Sequence, residues 1–146
     1  MHESGVPWDD ASGRNLRKWM GLSDEDFYNA KLVGLVPMGF CYPGSGKSGD
    51  LPPRPECAPL WHEKLLKASK SIKLTLLVGQ YAQKYYLGKN AKSNLTETVK
   101  AYKEYLPQYL PLPHPSPRNR IWMKKNPWFE RELLPELKAE VSKILD

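Results

Sequence analysis

Short apolar runs alternate with stretches of helical spacing along the chain. The run from Leu32 to Phe40 is apolar and partly β-branched, which predicts a buried strand. Further strands are predicted from Ile72 to Val78, with a break at Gly79, and from Tyr109 to Leu112. Strands that alternate with helices indicate a parallel sheet covered on both faces. We therefore predict an α/β fold, with three α/β/α layers around a short central parallel sheet, in a single domain over residues 1–146.

Helices are predicted between and after these strands. They cover residues 13–20, 56–69, 80–87 and 95–106, and a C-terminal segment that begins at Asn126-Pro127. Ser12 is interpreted as the N-cap of the first helix, and Gly21 and Gly88 as helix stops. Pro135 predicts a kink in the last helix, because proline lacks the N–H that the helix needs.

The ends of the predicted strands carry the unusual loops. A parallel sheet binds its ligands at the carboxyl ends of its strands. Three segments follow strands here: the Gly/Pro-rich loop from Pro43 to Pro55, the turn at Gly79-Gln80, and the segment from Pro113 to Asn119. We expect these loops to line one cleft. His62 lies away from them and is interpreted as a surface or helix-cap histidine.

The charge of the chain favours a polyanionic partner. Lysine and arginine total 22 against 16 aspartates and glutamates, for a net charge of +6 and a pI near 9.3. A merely basic soluble protein is the alternative. The sequence contains no apolar run long enough to span a bilayer and no basic-then-apolar leader, so we expect a cytoplasmic protein without a membrane partner. Its two cysteines are then reduced thiols or metal ligands.

The segment around His114 is the strongest candidate for chemistry. Pro113, Pro115 and Pro117 restrict the backbone on both sides of this histidine. A basic stretch with interspersed apolar residues follows, and it contains Arg118, Arg120, Ile121, Trp122, Met123, Lys124 and Lys125. Cations can neutralise phosphates while apolar side chains wedge into a duplex, which suits the extraction of a base. An ordinary turn beside a solvated basic surface explains the same residues equally well.

Several motifs resemble those of the uracil-DNA glycosylase superfamily. The sequence His-Pro-Ser-Pro at 114–117 resembles its second active-site motif, whose histidine contacts the uracil carbonyl. Residues 76–83 are similar to its strand and phosphate-contacting turn, and residues 52–55 to its proline-rich DNA loop. Gly5-Val6-Pro7-Trp8 is similar to its Gly-x-Pro-Phe segment, whose aromatic residue stacks on the flipped base. The resemblance implies a catalytic His114 and a substrate-binding set of Trp8, Gly79, Gln80, Ser116, Arg118 and Arg120.

The two cysteines resemble part of a cluster site. Cys41 and Cys57 have the spacing found in the iron–sulfur branch of the superfamily, where the matching pair supplies two of four ligands. A [4Fe–4S] cluster needs four thiolates, so we expect one only in a longer chain. Two buried, reduced cysteines are the alternative interpretation.

Two motifs of the family are not found in this sequence. A strand ending in Gly-(Gln/Glu)-x-Pro, which positions the attacking water, should precede His2, so we expect an N-terminally truncated member of the family. The position of the uracil-reading asparagine holds Pro37. The predicted function is hydrolysis of the N-glycosidic bond of uracil in single-stranded or duplex DNA, during base excision repair, by a monomer. The alternatives are a non-catalytic DNA-binding module and an inactive fragment of the same fold.

Overall fold

The computed structural model describes residues 6, 8–38, 45–46, 49–50, 59, 62–64 and 71–145. The helices in it are α1 Ala11–Met20, α2 Asp24–Phe27, α3 Gln80–Leu87, α4 Leu95–Lys100, α5 Arg120–Lys125 and α6 Leu134–Leu145, and the strands are β1 Ser45–Gly46, β2 Gly49–Asp50, β3 Thr75–Val78 and β4 Tyr109–Leu112. Short 3-10 turns cover Gly88–Asn90, Tyr102–Glu104 and Pro117–Asn119. None of the helices in these ranges is long and apolar enough to cross a membrane.

A short parallel sheet forms the centre of the described structure. Strands β3 and β4 pair in parallel, from Thr75 opposite Tyr109 to Val78 opposite Leu112. The N–H of Gly79 donates to the carbonyl of Leu112 at 2.9 Å, which extends the ladder past the end of β3. The predicted strand Tyr109–Leu112 is confirmed, and the preceding predicted strand starts at Thr75 rather than Ile72. Strands β1 and β2 form a separate antiparallel pair.

The two faces of this sheet lie against different helices. Successive strand residues point to opposite faces. Leu77 packs with Ala82 and Leu87 of α3 on one face. The opposite face belongs to a larger core, which contains Leu110, Leu112, Leu16, Trp19, Phe129 and Leu137. The fold is therefore the predicted α/β arrangement, with α3 on one side of the sheet and α1 and α6 on the other.

Helix α1 begins two residues earlier than its apolar spacing predicts. Asp10, rather than Ser12, is its N-cap, and the Asp10 carboxylate accepts a hydrogen bond from the N–H of Gly13 at 2.8 Å. The predicted stop at Gly21 is confirmed. Gly21 has φ +72°, the left-handed conformation that glycine adopts at the ends of helices.

The predicted strand from Leu32 to Phe40 is wrong over its described residues, 32–38. These residues form a turn and then an irregular segment. The backbone N–H groups of Leu32 and Val33 donate to the carbonyl of Asn29 instead of to a neighbouring strand. Leu32 and Val36 are about 40% exposed, and only single side chains of the described run reach a core, Leu35 at the larger cluster and Met38 at the smaller one. Gly34 and Pro37 disfavour a strand here as well. Glycine has no side chain to pack against a sheet, and proline lacks the N–H that would bond to a neighbouring strand.

The C-terminal helix is irregular just before its proline. Residues Phe129–Leu133 form a π turn, in which the N–H of Leu134 donates to the carbonyl of Phe129. Pro135 follows and has no N–H to donate. The wider turn accommodates the proline, which would otherwise interrupt the hydrogen bonding of a regular α-helix. The helix predicted over 95–106 also ends early, at Lys100. Helix α5 was not predicted from the sequence.

One tyrosine joins the middle of the chain to α6. The hydroxyl of Tyr102, which is 5% exposed, donates to the Glu136 carboxylate at 2.6 Å. Burial raises the pKa of Tyr102, and the hydrogen bond to Glu136 raises it further. The protonated phenol is thus the form that stabilises the fold.

We predict that Tyr102→Phe lowers the free energy of unfolding by about 1.5–3 kcal/mol at pH 7, the usual contribution of a hydrogen bond to a charged group. Because the folded-state pKa is raised, this stabilisation is present below the ordinary tyrosine pKa of about 10 and is lost as the pH rises beyond it. Urea unfolding should show that the wild-type protein and Tyr102→Phe differ less in free energy of unfolding at about pH 11 than at pH 7. Tyr81→Phe, at an exposed tyrosine, is the control and should have little effect at either pH.

Candidate active site

Two aromatic rings from opposite ends of the chain meet at the end of β4. The ring centroids of Trp8 and His114 lie 5.7 Å apart, with 32° between their planes. His114 is exposed, whereas Pro113 and Pro115 on either side are buried. The loop backbone is thus anchored in the protein while the imidazole faces outward. The structure brings together the two residues that the sequence analysis expected to bind the base.

The backbone of Trp8 is pressed against α1. Trp8 has φ +63°, a conformation that is rare for bulky residues. Its carbonyl accepts a hydrogen bond from Arg17 Nη1 at 3.1 Å. A Cβ atom at Gly13 would lie only 1.7 Å from the same carbonyl oxygen. The lack of a side chain at Gly13 is therefore what allows this close approach.

Arg17 is a buried cation with several partners. Its side chain forms an ion pair with Asp24 at 2.7 Å and donates to the Tyr28 hydroxyl at 3.1 Å. Its guanidinium carbon also lies 5.2 Å from the centre of the Phe27 ring. These contacts offset the cost of burying the charge and leave the guanidinium in one orientation. Arg17 connects α2 to the backbone of Trp8, and this role was not predicted from the sequence.

The loop that carries His114 is held by two asparagines. Asn15 of α1 donates to the carbonyl of Pro115 at 2.9 Å, and Asn119 donates to the carbonyl of His114 at 2.5 Å. The hydroxyl of Ser116 accepts from the N–H of Arg118 at 3.2 Å and caps the Pro117–Asn119 turn. Helix α1 thus contacts both sides of the aromatic pair, through Arg17 at Trp8 and through Asn15 at the loop.

The turn at Gly79 lies beside this loop. Gly79 has φ +88° and ψ +169°, a conformation that is essentially restricted to glycine. Among the described residues no atom lies within 4 Å of a Cβ built at Gly79, so its conformation, rather than crowding, requires glycine. Because its N–H donates to Leu112, the turn is adjacent to the end of β4. Gln80, the first residue of α3, is exposed.

A buried amide links the ends of the two parallel strands. Gln83 is 2% exposed, and its Nε2 donates to the carbonyls of Leu77 at 3.1 Å and Leu112 at 2.9 Å. Both carbonyls lie at the strand ends from which the Gly79 and His114 loops depart. A polar residue on the apolar side of α3 is a sequence signal for a buried hydrogen bond, because Gln83 lies four residues before Leu87 on that side. Gln83 was nevertheless not predicted as a residue of the site.

The predicted DNA-contacting cations lie on an exposed surface. Arg118, Arg120, Lys124 and Lys125 are all exposed. The described contacts include no ion pair or side-chain hydrogen bond for any of the four. Trp122 and Met123 pack against the core, and the Trp122 Nε1–H donates to the Thr96 hydroxyl at 2.8 Å. Ile121, at 68% exposure, is the apolar residue of this segment that faces solvent.

His62 is not at the surface, contrary to expectation. It is 2% exposed, its Nε2 lies 2.6 Å from the carbonyl of Pro37, and its Nδ1 lies 2.5 Å from the Tyr86 hydroxyl. Because a carbonyl can only accept, Nε2 carries a proton. Burial raises the pKa of Tyr86 to about 12, with Tyr85 and Tyr109 adding to the shift.

The remaining predicted site residues lie outside the described part of the chain. These are Cys41, Cys57 and the proline-rich run at 52–55. The iron–sulfur interpretation therefore stays a prediction. The ranges that are described contain no group of three or more His, Cys, Asp or Glu side chains arranged to hold a metal ion.

The chain matches the model of a known protein family. The family model of the uracil DNA glycosylase superfamily matches residues 1–138. The chain belongs to the uracil-DNA glycosylase superfamily.

We predict that Gly13→Ala separates Trp8 from His114. The new methyl group would overlap the Trp8 carbonyl, and because that carbonyl belongs to the backbone rather than to a flexible side chain, the segment must move. NMR spectra of the histidine rings should show the His114 signals losing the shift caused by the indole, while the His62 signals keep their positions. Gly34→Ala is the control, because no atom of the part of the chain that the structure describes lies within 4 Å of its added Cβ. Unchanged His114 signals in Gly13→Ala would contradict this account.

We also predict that Gln83→Glu destabilises the fold more than Gln83→Met at pH 7. Methionine removes both Gln83 hydrogen bonds, each of which typically contributes about 0.5–1.5 kcal/mol, whereas glutamate places a negative charge against two oxygens. Burial favours the neutral acid, which can donate one hydrogen bond. Urea unfolding should therefore show that the stability of Gln83→Glu, relative to that of Gln83→Met, is higher at pH 5 than at pH 7. Gln80→Glu, on the exposed start of the same helix, is the control. Equal stability of both Gln83 variants at pH 7 would argue against the linking role.

Proposed function

We propose that the protein hydrolyses the N-glycosidic bond that joins uracil to deoxyribose in DNA, as a glycosylase of base excision repair. The observation that supports this most is the pair of Trp8 and His114, whose ring centroids are 5.7 Å apart at the end of β4. One ring offers a face on which a flipped base can stack. The other offers an N–H that can reach a carbonyl of that base.

His114 would act on the leaving group. As the bond to the sugar breaks, negative charge develops on the uracil, including on its O2 oxygen. A fixed N–H donor stabilises that charge more than it stabilises the neutral ground state. Buried prolines on both sides and the Asn15 and Asn119 hydrogen bonds to the loop support the fixed position of such a donor.

Trp8 and the basic surface would hold the flipped nucleotide. Removing a base from the stack costs a few kcal/mol, and stacking on an aromatic side chain returns roughly 1–3 kcal/mol. Arg118, Arg120, Ser116 and the Gly79-Gln80 turn would contact the flanking phosphates. Ile121, exposed in the middle of α5, is suited to occupy the space that the base leaves.

A DNA-binding module without catalysis is the second candidate. Exposed cations that form no ion pair within the described residues favour DNA binding whether or not the bond is cleaved. Both candidates bind DNA with a salt-dependent affinity. Only the glycosylase produces abasic sites in uracil-containing DNA.

We predict that His114→Ala lowers the single-turnover rate of uracil excision by roughly 100- to 1,000-fold, the usual effect of losing one such donor. DNA affinity should change little, because the donor acts mainly in the transition state. His114→Asn, which keeps an N–H donor, is the matched variant and should retain more of the rate. The assay is run on the 146-residue chain and on a version preceded by a strand ending in Gly-Gln-x-Pro.

Trp8→Ala provides the contrast. It should weaken binding to uracil-containing DNA as well as excision, since the lost stacking stabilises the flipped complex. Equal excision rates in His114→Ala and its parent would remove His114 from the mechanism. DNA binding without abasic sites in either version would favour the non-catalytic module.

A further inference from the structure

We propose that the groove between α5 and the start of the C-terminal helical segment binds the DNA strand that continues beyond the flipped nucleotide. This inference rests on the proposed function and adds the path of the DNA to it. The groove has a volume of about 400 Å³, and its walls are formed by Arg120, Met123, Lys124, Pro127, Glu130 and Arg131. Arg131 and the C-terminal wall were not among the DNA-contacting residues expected from the sequence.

The walls of the groove place cations opposite one another. Arg120 and Lys124 are four residues apart and therefore project from the same side of α5. Arg131 lines the groove from the π turn that precedes α6. Met123 and Pro127 supply an apolar surface between them. A ligand that carries anionic groups and apolar sugar or base faces fits this combination, as a nucleic acid strand does.

These cations are available for a ligand. Arg120, Lys124 and Arg131 are exposed, and the contacts within the described residues include no ion pair or side-chain hydrogen bond for them. Arg17 is different, because it is buried and paired with Asp24. The groove carries one carboxylate, Glu130, against three cations, so its field attracts anions.

A second groove shows that size alone does not create such a field. It has a volume of about 460 Å³ and is lined by Lys92, Ser93, Glu97, Lys100, Ala101 and Glu104. Its two lysines are matched by two glutamates, and Lys92 is already paired with Glu104 at 2.9 Å. This balanced groove provides control variants of the same residue types.

The basic groove begins where the active-site loop ends. Asn119, which donates to the carbonyl of His114, is followed directly by Arg120, the first residue of α5. A strand whose flipped base lies at His114 can therefore continue along α5 to Arg131. This continuity favours the strand that contains the uracil over an unrelated anion as the occupant.

The test measures how DNA affinity grows with strand length. Single-stranded oligonucleotides carry uracil near one end and are extended stepwise on the 3′ side or on the 5′ side, and their affinities are measured by fluorescence anisotropy. Wild-type protein should gain affinity on extension in one direction until the groove is filled. Lys124→Ala and Arg131→Ala should each lose that gain and should bind oligonucleotides extended in the other direction as the wild-type protein does. The slope of log affinity against log salt should fall by roughly 0.7 for each phosphate contact removed from a single strand.

Two further variants show whether misfolding could explain a loss of affinity in Lys124→Ala and Arg131→Ala. Glu130→Gln removes the opposing charge, so it should raise affinity for oligonucleotides that reach the groove and leave the shortest ones unaffected. Lys100→Ala, in the balanced groove, should change neither the length dependence nor the salt slope. The proposal is overturned if Lys124→Ala and Arg131→Ala retain the full gain on extension, or if Lys100→Ala reduces it equally. Because every measurement is of binding, a wild-type protein that binds these oligonucleotides without excising uracil still tests the groove.

Discussion

The side-chain amide of Gln83 joins the ends of β3 and β4, and the candidate site depends on that junction. A parallel pair of four-residue strands provides few backbone hydrogen bonds of its own. The two bonds from Gln83 and the one from Gly79 to Leu112 hold the strand ends where the two loops depart. Since one amide nitrogen donates to a carbonyl of each strand, this position favours an amide, and the bonds support the relative placement of the Gly79 turn and the His114 loop.

Helix α1 holds the N-terminal part of the site in place. Arg17 binds the Trp8 carbonyl, and Asn15, two residues earlier, binds the carbonyl of Pro115, a hundred residues away in sequence. One rigid helix therefore sets the distance between a residue near the start of the chain and a loop near its end. The unfavourable φ of Trp8 persists because Arg17 binds its carbonyl and Gly13 leaves room for that carbonyl against α1.

Sequence patterns predicted the local structure better than the contacts that assemble the site. Tyr109–Leu112 and Gln80–Leu87 were predicted with their observed bounds, because a buried strand and a glycine-bounded helix leave clear apolar patterns. The run from Leu32 failed because composition does not reveal whether an apolar segment finds a neighbouring strand. His114 and Trp8 were recognised from motifs, but their meeting, and the supporting Asn15, Arg17 and Gln83, depend on tertiary contacts that periodicity does not encode.

The loop around His114 separates the protein's stability from its chemistry. The asparagines that hold this loop bind the carbonyls of His114 and Pro115, and the flanking prolines supply its buried surface. None of these attachments involves the imidazole, so they are available to any residue that can adopt the same backbone conformation at position 114. The backbone of this loop can therefore carry a different side chain at position 114 and keep the same attachments. A substitution at position 114 can therefore change the chemical character of this exposed position while the attachments of the loop backbone stay in place.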